Sequence, residues 1–170
     1  MMSRWKQIGL MALLAFMPFR VNAQLVAVST DMAFLVTQNY NIAAEMTIGN
    51  QSTLGLSVLG NYHPWILKSM RAIAIQPEWR YYFSGRPMMR HFIGIGGLLA
   101  NYNFEWDGVH YVGDAAGAGL TFGYVLPLSE RFNLDFHAGV GLVFYYGEKE
   151  EVGNVILPTK IGISLSYIIR

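Results

Sequence analysis

Ile73-Ala74-Ile75-Gln76-Pro77-Glu78-Trp79-Arg80-Tyr81-Tyr82-Phe83 is the stretch that decides the fold. Its odd positions carry large apolar groups, while Gln76, Glu78, Arg80 and Tyr82 occupy even ones. A period of two belongs to a strand, whose successive side chains point to opposite faces, and not to a helix. Hydrocarbon and aromatic rings fill one face without a break. Charged and very small residues share the other. That is a sheet turned inside out, with lipid as its outer solvent.

The same alternation recurs through the chain and predicts eight strands: Leu25–Val36, Asn41–Ile48, Thr53–Tyr62, Ala72–Phe83, His91–Phe104, Asp114–Val125, Phe132–Tyr146 and Lys160–Ile169. In the sixth, Ala116, Ala118, Leu120, Phe122 and Tyr124 face outward against Gly117, Gly119, Thr121 and Gly123. In the seventh, Leu134, Phe136, Val140, Leu142 and Phe144 oppose Asn133, Asp135, His137, Gly139 and Gly141. These lengths match the ~9–11 residues of a tilted membrane strand. Short connections at Gly49–Ser52 and Pro127–Arg131, with Ser84–Arg90 a little longer, alternate with longer ones at His63–Arg71, Glu105–Gly113 and Gly147–Pro158. Short periplasmic turns and longer external loops are the pattern of outer-membrane barrels. Aromatic residues gather near both predicted rims, Tyr81, Phe83, Phe92, Tyr124 and Tyr167 at one and Tyr40, Tyr62, Phe104 and Tyr146 at the other, as two interfacial girdles.

At 170 residues the chain is long enough for one domain with its own core. Its 12 basic and 11 acidic residues create no field that would steer it to nucleic acid. Charged residues make up 14% and mean hydropathy is +0.30, yet past the N-terminus no run approaches the ~20 apolar residues of a membrane helix. Cysteine is absent, which excludes disulfides, thiolate catalysis and thiolate metal sites. Arg4 and Lys6 precede an apolar run from Ile8 to Phe19, and Val21-Asn22-Ala23 forms a small-residue cleavage site. Residues 1–23 are therefore expected to be an export signal, with a barrel domain over 24–170 beginning at Gln24.

A secreted lipocalin-like barrel is the rival architecture, also eight-stranded and alternating, but with its aromatic side chains inside. The bare positions argue against it. Gly55, Gly94, Gly96, Gly117, Gly119, Gly123, Gly139, Gly141 and Gly162 all fall on the charged face. Glycine weakens a strand and gains nothing on a solvated surface. Inside a narrow barrel it makes room for Glu78, Arg80, Tyr82 and Lys160.

From Asn61 to the C-terminus the sequence resembles the domain of unknown function 3575 family, small OmpA-like outer-membrane barrels of Gram-negative bacteria. The resemblance is carried by Asn61-Tyr62-His63-Pro64-Trp65, Gln76-Pro77-Glu78-Trp79-Arg80-Tyr81, His91-Phe92-Ile93-Gly94, Gly117-Ala118-Gly119-Leu120-Thr121-Phe122-Gly123-Tyr124 and Pro158-Thr159-Lys160-Ile161-Gly162-Ile163-Ser164. It implies an eight-stranded antiparallel transmembrane β-barrel in the cell outer membrane, with the lipid bilayer as partner. It implies no established activity. Some relatives are encoded beside genes for surface fimbriae, which implies an accessory role in surface assembly at the level of the family.

Chemistry is expected to be sparse. Gly117-x-Gly119-x-x-x-Gly123 has the wrong spacing for a dinucleotide loop and lies within a strand, so no cofactor is expected. No His/Asp/Glu grouping has metal-ligand spacing. His137 points inward, His63 and His110 lie in predicted loops, and no serine has spacing that pairs it with them, so no catalytic residue is assigned. The inward charges Asp31, Glu45, Glu78, Arg80, Asp135, His137 and Lys160 form the one notable constellation. They are read as a structural network that closes a small lumen, because an unpaired buried charge is costly. Trp65, Trp106 and Tyr111, with the charged run Glu148–Glu151, are the candidate external-loop contacts for a surface protein or glycan. The expected function is a non-enzymatic outer-membrane barrel with a structural or surface-interaction role. The alternatives are a lipid-modifying hydrolase or acyltransferase of the same membrane, or the lipocalin-like binding barrel.

Overall fold

The computed structural model describes residues 25–37, 39–62, 71–106, 109–147 and 152–169; of Tyr62 and Trp106 it describes the backbone. The expected signal segment and cleavage site, Trp65 and the run Glu148–Glu151 lie outside the described residues.

The strands are β1 (Val26–Asp31), β2 (Asn39–Thr47), β3 (Ser52–Tyr62), β4 (Arg71–Tyr82), β5 (Arg90–Trp106), β6 (Val109–Pro127), β7 (Phe132–Gly147) and β8 (Val152–Ile169), with one short helix, α1 (Met32–Val36). Each strand pairs antiparallel with its sequence neighbour, and β1 pairs with β8, so the sheet closes into a barrel. Closure leaves neither edge of the ring open at the level of β1, which the hydrocarbon layer requires, since water is absent there to satisfy backbone groups.

The faces follow the alternation in the sequence. Ile73, Ile75 and Trp79 of β4 are exposed, while Gln76, Glu78, Arg80 and Tyr82 are buried. Around the ring Leu54, Leu56, Ile95, Leu99, Leu120, Phe122, Phe136, Val140, Phe144 and Ile161 also stand exposed. Among the described residues, buried polar and charged side chains outnumber buried apolar ones. Water as the outer solvent would forgo roughly 1.5–3 kcal/mol at each large apolar side chain left uncovered, so the belt is a lipid surface. The lipocalin arrangement is the reverse of this one.

Three expectations are corrected. The first predicted strand, Leu25–Val36, stops at Asp31 and continues as α1. Its cause is local: the Asp31 side chain accepts from the backbone N–H of Ala33 at 2.8 Å and of Phe34 at 3.3 Å, an N-cap that ends the extended chain. Two of the expected long loops are mostly strand: β5 runs to Trp106 and β6 starts at Val109, while β7 runs to Gly147 and β8 starts at Val152. Phe92, expected in a lipid girdle, lies inside at 2% exposure, packed on Tyr82 with ring centroids 5.4 Å apart.

The end of the barrel at the short turns has its own floor. Met88, from the turn between β4 and β5, tucks under the lumen against Ala27, Ile168 and Leu25. Asn133 Nδ2 donates to its carbonyl at 2.9 Å and holds it there.

Candidate functional site

Arg80 is the hub of the lumen. On β4 it is one of the inward positions set by the alternation, and three glycines across from it keep the space open. A Cβ on Gly94 would sit 2.7 Å from Glu78 Oε1, one on Gly162 would run into the Asp31 carboxylate, and one on Gly123 into the ring of Phe92. Arg80 Nη1 reaches Asp135 Oδ2 at 2.7 Å and Glu45 Oε2 at 3.2 Å, and its Nε donates to Glu78 Oε2 at 2.8 Å. Its guanidinium lies 4.3 Å over the Phe92 ring. Charge-assisted bonds of this kind are the strong ones, and arginine supplies them in a planar fork.

The carboxylates are shared out among further partners. Lys160 Nζ donates to Glu78 Oε2 at 2.7 Å from the opposite wall. Thr53 Oγ1 and the Tyr82 hydroxyl donate to Glu45 Oε1 at 2.6 and 2.7 Å. His137 stands between two acids, with Nε2 at 3.4 Å from Asp31 Oδ2 and Nδ1 at 3.5 Å from Asp135 Oδ1. All seven residues singled out in the sequence therefore meet in one connected cluster. Four are carboxylates; Arg80 touches Glu45, Glu78 and Asp135, Lys160 touches Glu78, and His137 stands between Asp135 and Asp31.

The inward face also holds uncharged partners outside the seven-residue charge network. Thr53 and Tyr82 share the inward face with Glu45, and Gln76 Nε2 spans the lumen to the Thr159 carbonyl at 2.8 Å. Parity from Ile93 was the available signal for Phe92, because a residue next to an outward one on a strand faces inward.

Little space remains. A void of about 50 Å³ lies among Asp31, Glu45, Gln76, Arg80, His137 and Lys160, and one of about 20 Å³ lies against Gly96, Gly119 and Lys160. Room for a water or two is the scale of these volumes, not a conduit.

Above the charged layer the wall changes character. On β5 and β6 the inward pairs are Leu98–Gly117, Ala100–Ala115, Tyr102–Gly113 and Phe104–Tyr111, the last stacked with centroids 5.1 Å apart. Outward lie Asn101 and Asp114, hydrogen-bonded at 3.0 Å, and Glu105 with His110 at 3.5 Å. Tyr111, expected in a loop, is thus a strand residue on the inner face of this hairpin. Trp106 ends β5.

Eight antiparallel strands in a closed ring, an apolar belt outside and a filled, charged lumen define a small transmembrane β-barrel. The chain belongs to the family described as "Protein of unknown function (DUF3575)", whose model matches residues 9–169. Among solved structures it is similar to the N-terminal β-barrel domain of Pseudomonas aeruginosa OprF, at 14% identity over 86% of this chain and 96% of that one, with a TM-score of 0.50. It is also similar to Neisserial surface protein A (NspA), at 15% identity over 85% of this chain and 90% of that one, with a TM-score of 0.41. No curated protein matches it in sequence.

Proposed function

We propose that the protein is an exported, non-enzymatic barrel of the outer membrane. Its lumen network has a structural role, and its upper wall serves contacts at the cell surface. The observation that carries this reading is the division of the barrel into two zones. Within the lipid belt the lumen is occupied by Arg80, Glu78, Lys160 and their partners, and the voids among them are too small for solute passage. Beyond the belt, β5 to β8 continue as a wall with aromatic groups on its inner side and polar groups on the outer side of the β5–β6 hairpin. Rings and hydrogen-bonding side chains side by side suit a protein or glycan partner. The family resemblance adds surface fimbria assembly as the candidate process.

The test has two parts. N-terminal sequencing of the outer-membrane fraction should find Gln24 first, in protein that salt and carbonate do not extract. Replacing Asn103–Val112 by a tight turn should leave the barrel folded while changing fimbriation or another surface assembly of the cell. Soluble periplasmic protein would overturn the location, and an unchanged surface in the truncated strain would reduce the role to a structural one.

A further inference from the structure

A cavity of about 530 Å³, far larger than either lumen void, opens on the lipid side of the wall. Clefts that hold small ligands span ~300–1,000 Å³. Two neighbouring rows of outward residues build this one. Ile75, Leu99, Ala116 and Phe144 are register partners from β4 to β7, and the Ala116 methyl forms a floor between two tall side chains. One row nearer the long connections, Ile73, Asn101, Asp114, Tyr146 and Val152 run from β4 to β8. Ile73 and Val152, at the ends of that row, are 55% and 70% exposed, as lipid-facing residues are.

A carboxylate is out of place in such a row. Charge on the lipid face of a barrel is costly, less so near the interface, and an ionisable group at membrane depth calls for a partner. Asp114 is exposed, and its Oδ1 accepts from Asn101 Nδ2 at 3.0 Å. The same Nδ2 leans on the Gly113 carbonyl at 3.4 Å, so the donors of the amide are engaged. What the pair offers a ligand is acceptors, Asp114 Oδ2 and the Asn101 amide oxygen. Arg71, opposite Asn103 one row further out, does not line the cavity. Such a pair repels a phosphate and suits an ammonium.

We propose that this cavity is a binding site for one membrane lipid with a primary-amine head. Its acyl chain lies over Ala116 between Leu99 and Phe144, and its ammonium donates to Asp114 and Asn101. On the convex belt a chain touches protein on one side only. Here the walls hold it on three, and dispersion contacts add up accordingly. The apolar part of the groove accepts a chain under any head, so the acidic pair is what selects. This goes beyond the surface-contact reading and uses only the lipid-facing exterior of the barrel.

Native mass spectrometry of the full-length protein tests the site. Protein folded in liposomes of phosphatidylethanolamine, phosphatidylcholine and phosphatidylglycerol, in equal parts and with identical chains, is released into mild detergent and its retained lipids are counted. One lipid per barrel should persist. Phosphatidylethanolamine should exceed phosphatidylcholine, whose quaternary ammonium has no N–H, by about tenfold, a ratio that one charge-assisted hydrogen bond supplies. Asp114→Asn should bring the two near parity while a lipid is still retained, and Ala116→Phe should expel the lipid whatever its head. Mobility on gels with and without heating shows that each variant is folded, and the wild-type preference decides even where one is not. No head preference in the wild type, a preference for phosphatidylglycerol, a preference that survives Asp114→Asn, or full retention by Ala116→Phe overturns the inference. Failure here leaves the surface role standing, since the truncation of Asn103–Val112 that tests it spares Asn101 and Asp114.

Discussion

Arg80→Met should cost about 3–5 kcal/mol of folding stability, the scale for breaking a buried ion pair from one side. The structure shows why one stranded charge, and not three, sets the magnitude. Glu78 keeps Lys160 at 2.7 Å, and Glu45 keeps Thr53 and Tyr82 at 2.6 and 2.7 Å. Asp135 loses its 2.7 Å contact and retains only His137, at 3.5 Å. Methionine fills most of the vacated volume over Phe92, so the cavity contribution is small beside the electrostatic one. Adding Asp135→Asn to Arg80→Met should recover a large part of the loss, since neutralising the orphan removes the cause. Trp79→Leu, one residue away on the lipid face, should cost clearly less than Arg80→Met. Urea unfolding of liposome-reconstituted variants, followed by the mobility difference between folded and unfolded barrel on gels, gives the comparison. Equal losses for Arg80→Met and Trp79→Leu, or no recovery in the double variant, would refute the reasoning.

Gly162→Val should lose about 1–3 kcal/mol by overpacking, because the new side chain displaces the Asp31 carboxylate from the α1 cap and from His137; Asp31→Ala in the same chain should remove most of that penalty in the same urea assay. Met88→Ala should cost about 2–5 kcal/mol, since the side chain is buried at the barrel floor, and the loss is read as a lower urea midpoint. Planar-bilayer recordings of the wild type should show no stable ohmic conductance, as the charge network fills the lumen around voids of about 50 and 20 Å³; steady conductance would show that the plug opens.

Face assignment was legible because lipid and lumen impose opposite demands on neighbouring residues. Trp79 beside Glu78 and Arg80 leaves one orientation that satisfies both, and the structure has it. Members of the charge network were legible for the same reason, since an ionised group in the belt has only the lumen to face. Their pairing was not: Arg80 meets Asp135 across 55 positions of sequence, and closure of the ring decides that distance. The end of β1 was hidden by a local contest. Met32, Phe34 and Val36 keep the strand alternation, but Asp31 lies two and three residues before N–H groups that it can cap. The long hairpins were hidden by composition. Glu105 and His110, paired at 3.5 Å, face outward above the belt, where water replaces lipid and the sense of the alternation reverses, so polar outward residues imitate a loop.

Thiol accessibility on β3 tests the inside-out barrel most directly, and the absence of cysteine from the chain makes each substitution the sole target. Leu56→Cys and Val58→Cys in reconstituted protein should react with a lipid-soluble maleimide and resist a water-soluble one. Ser57→Cys, at a position only 3% exposed within the filled lumen, should resist both. Reaction of Leu56→Cys and Val58→Cys with the water-soluble reagent, or of Ser57→Cys with the lipid-soluble one, would contradict the account.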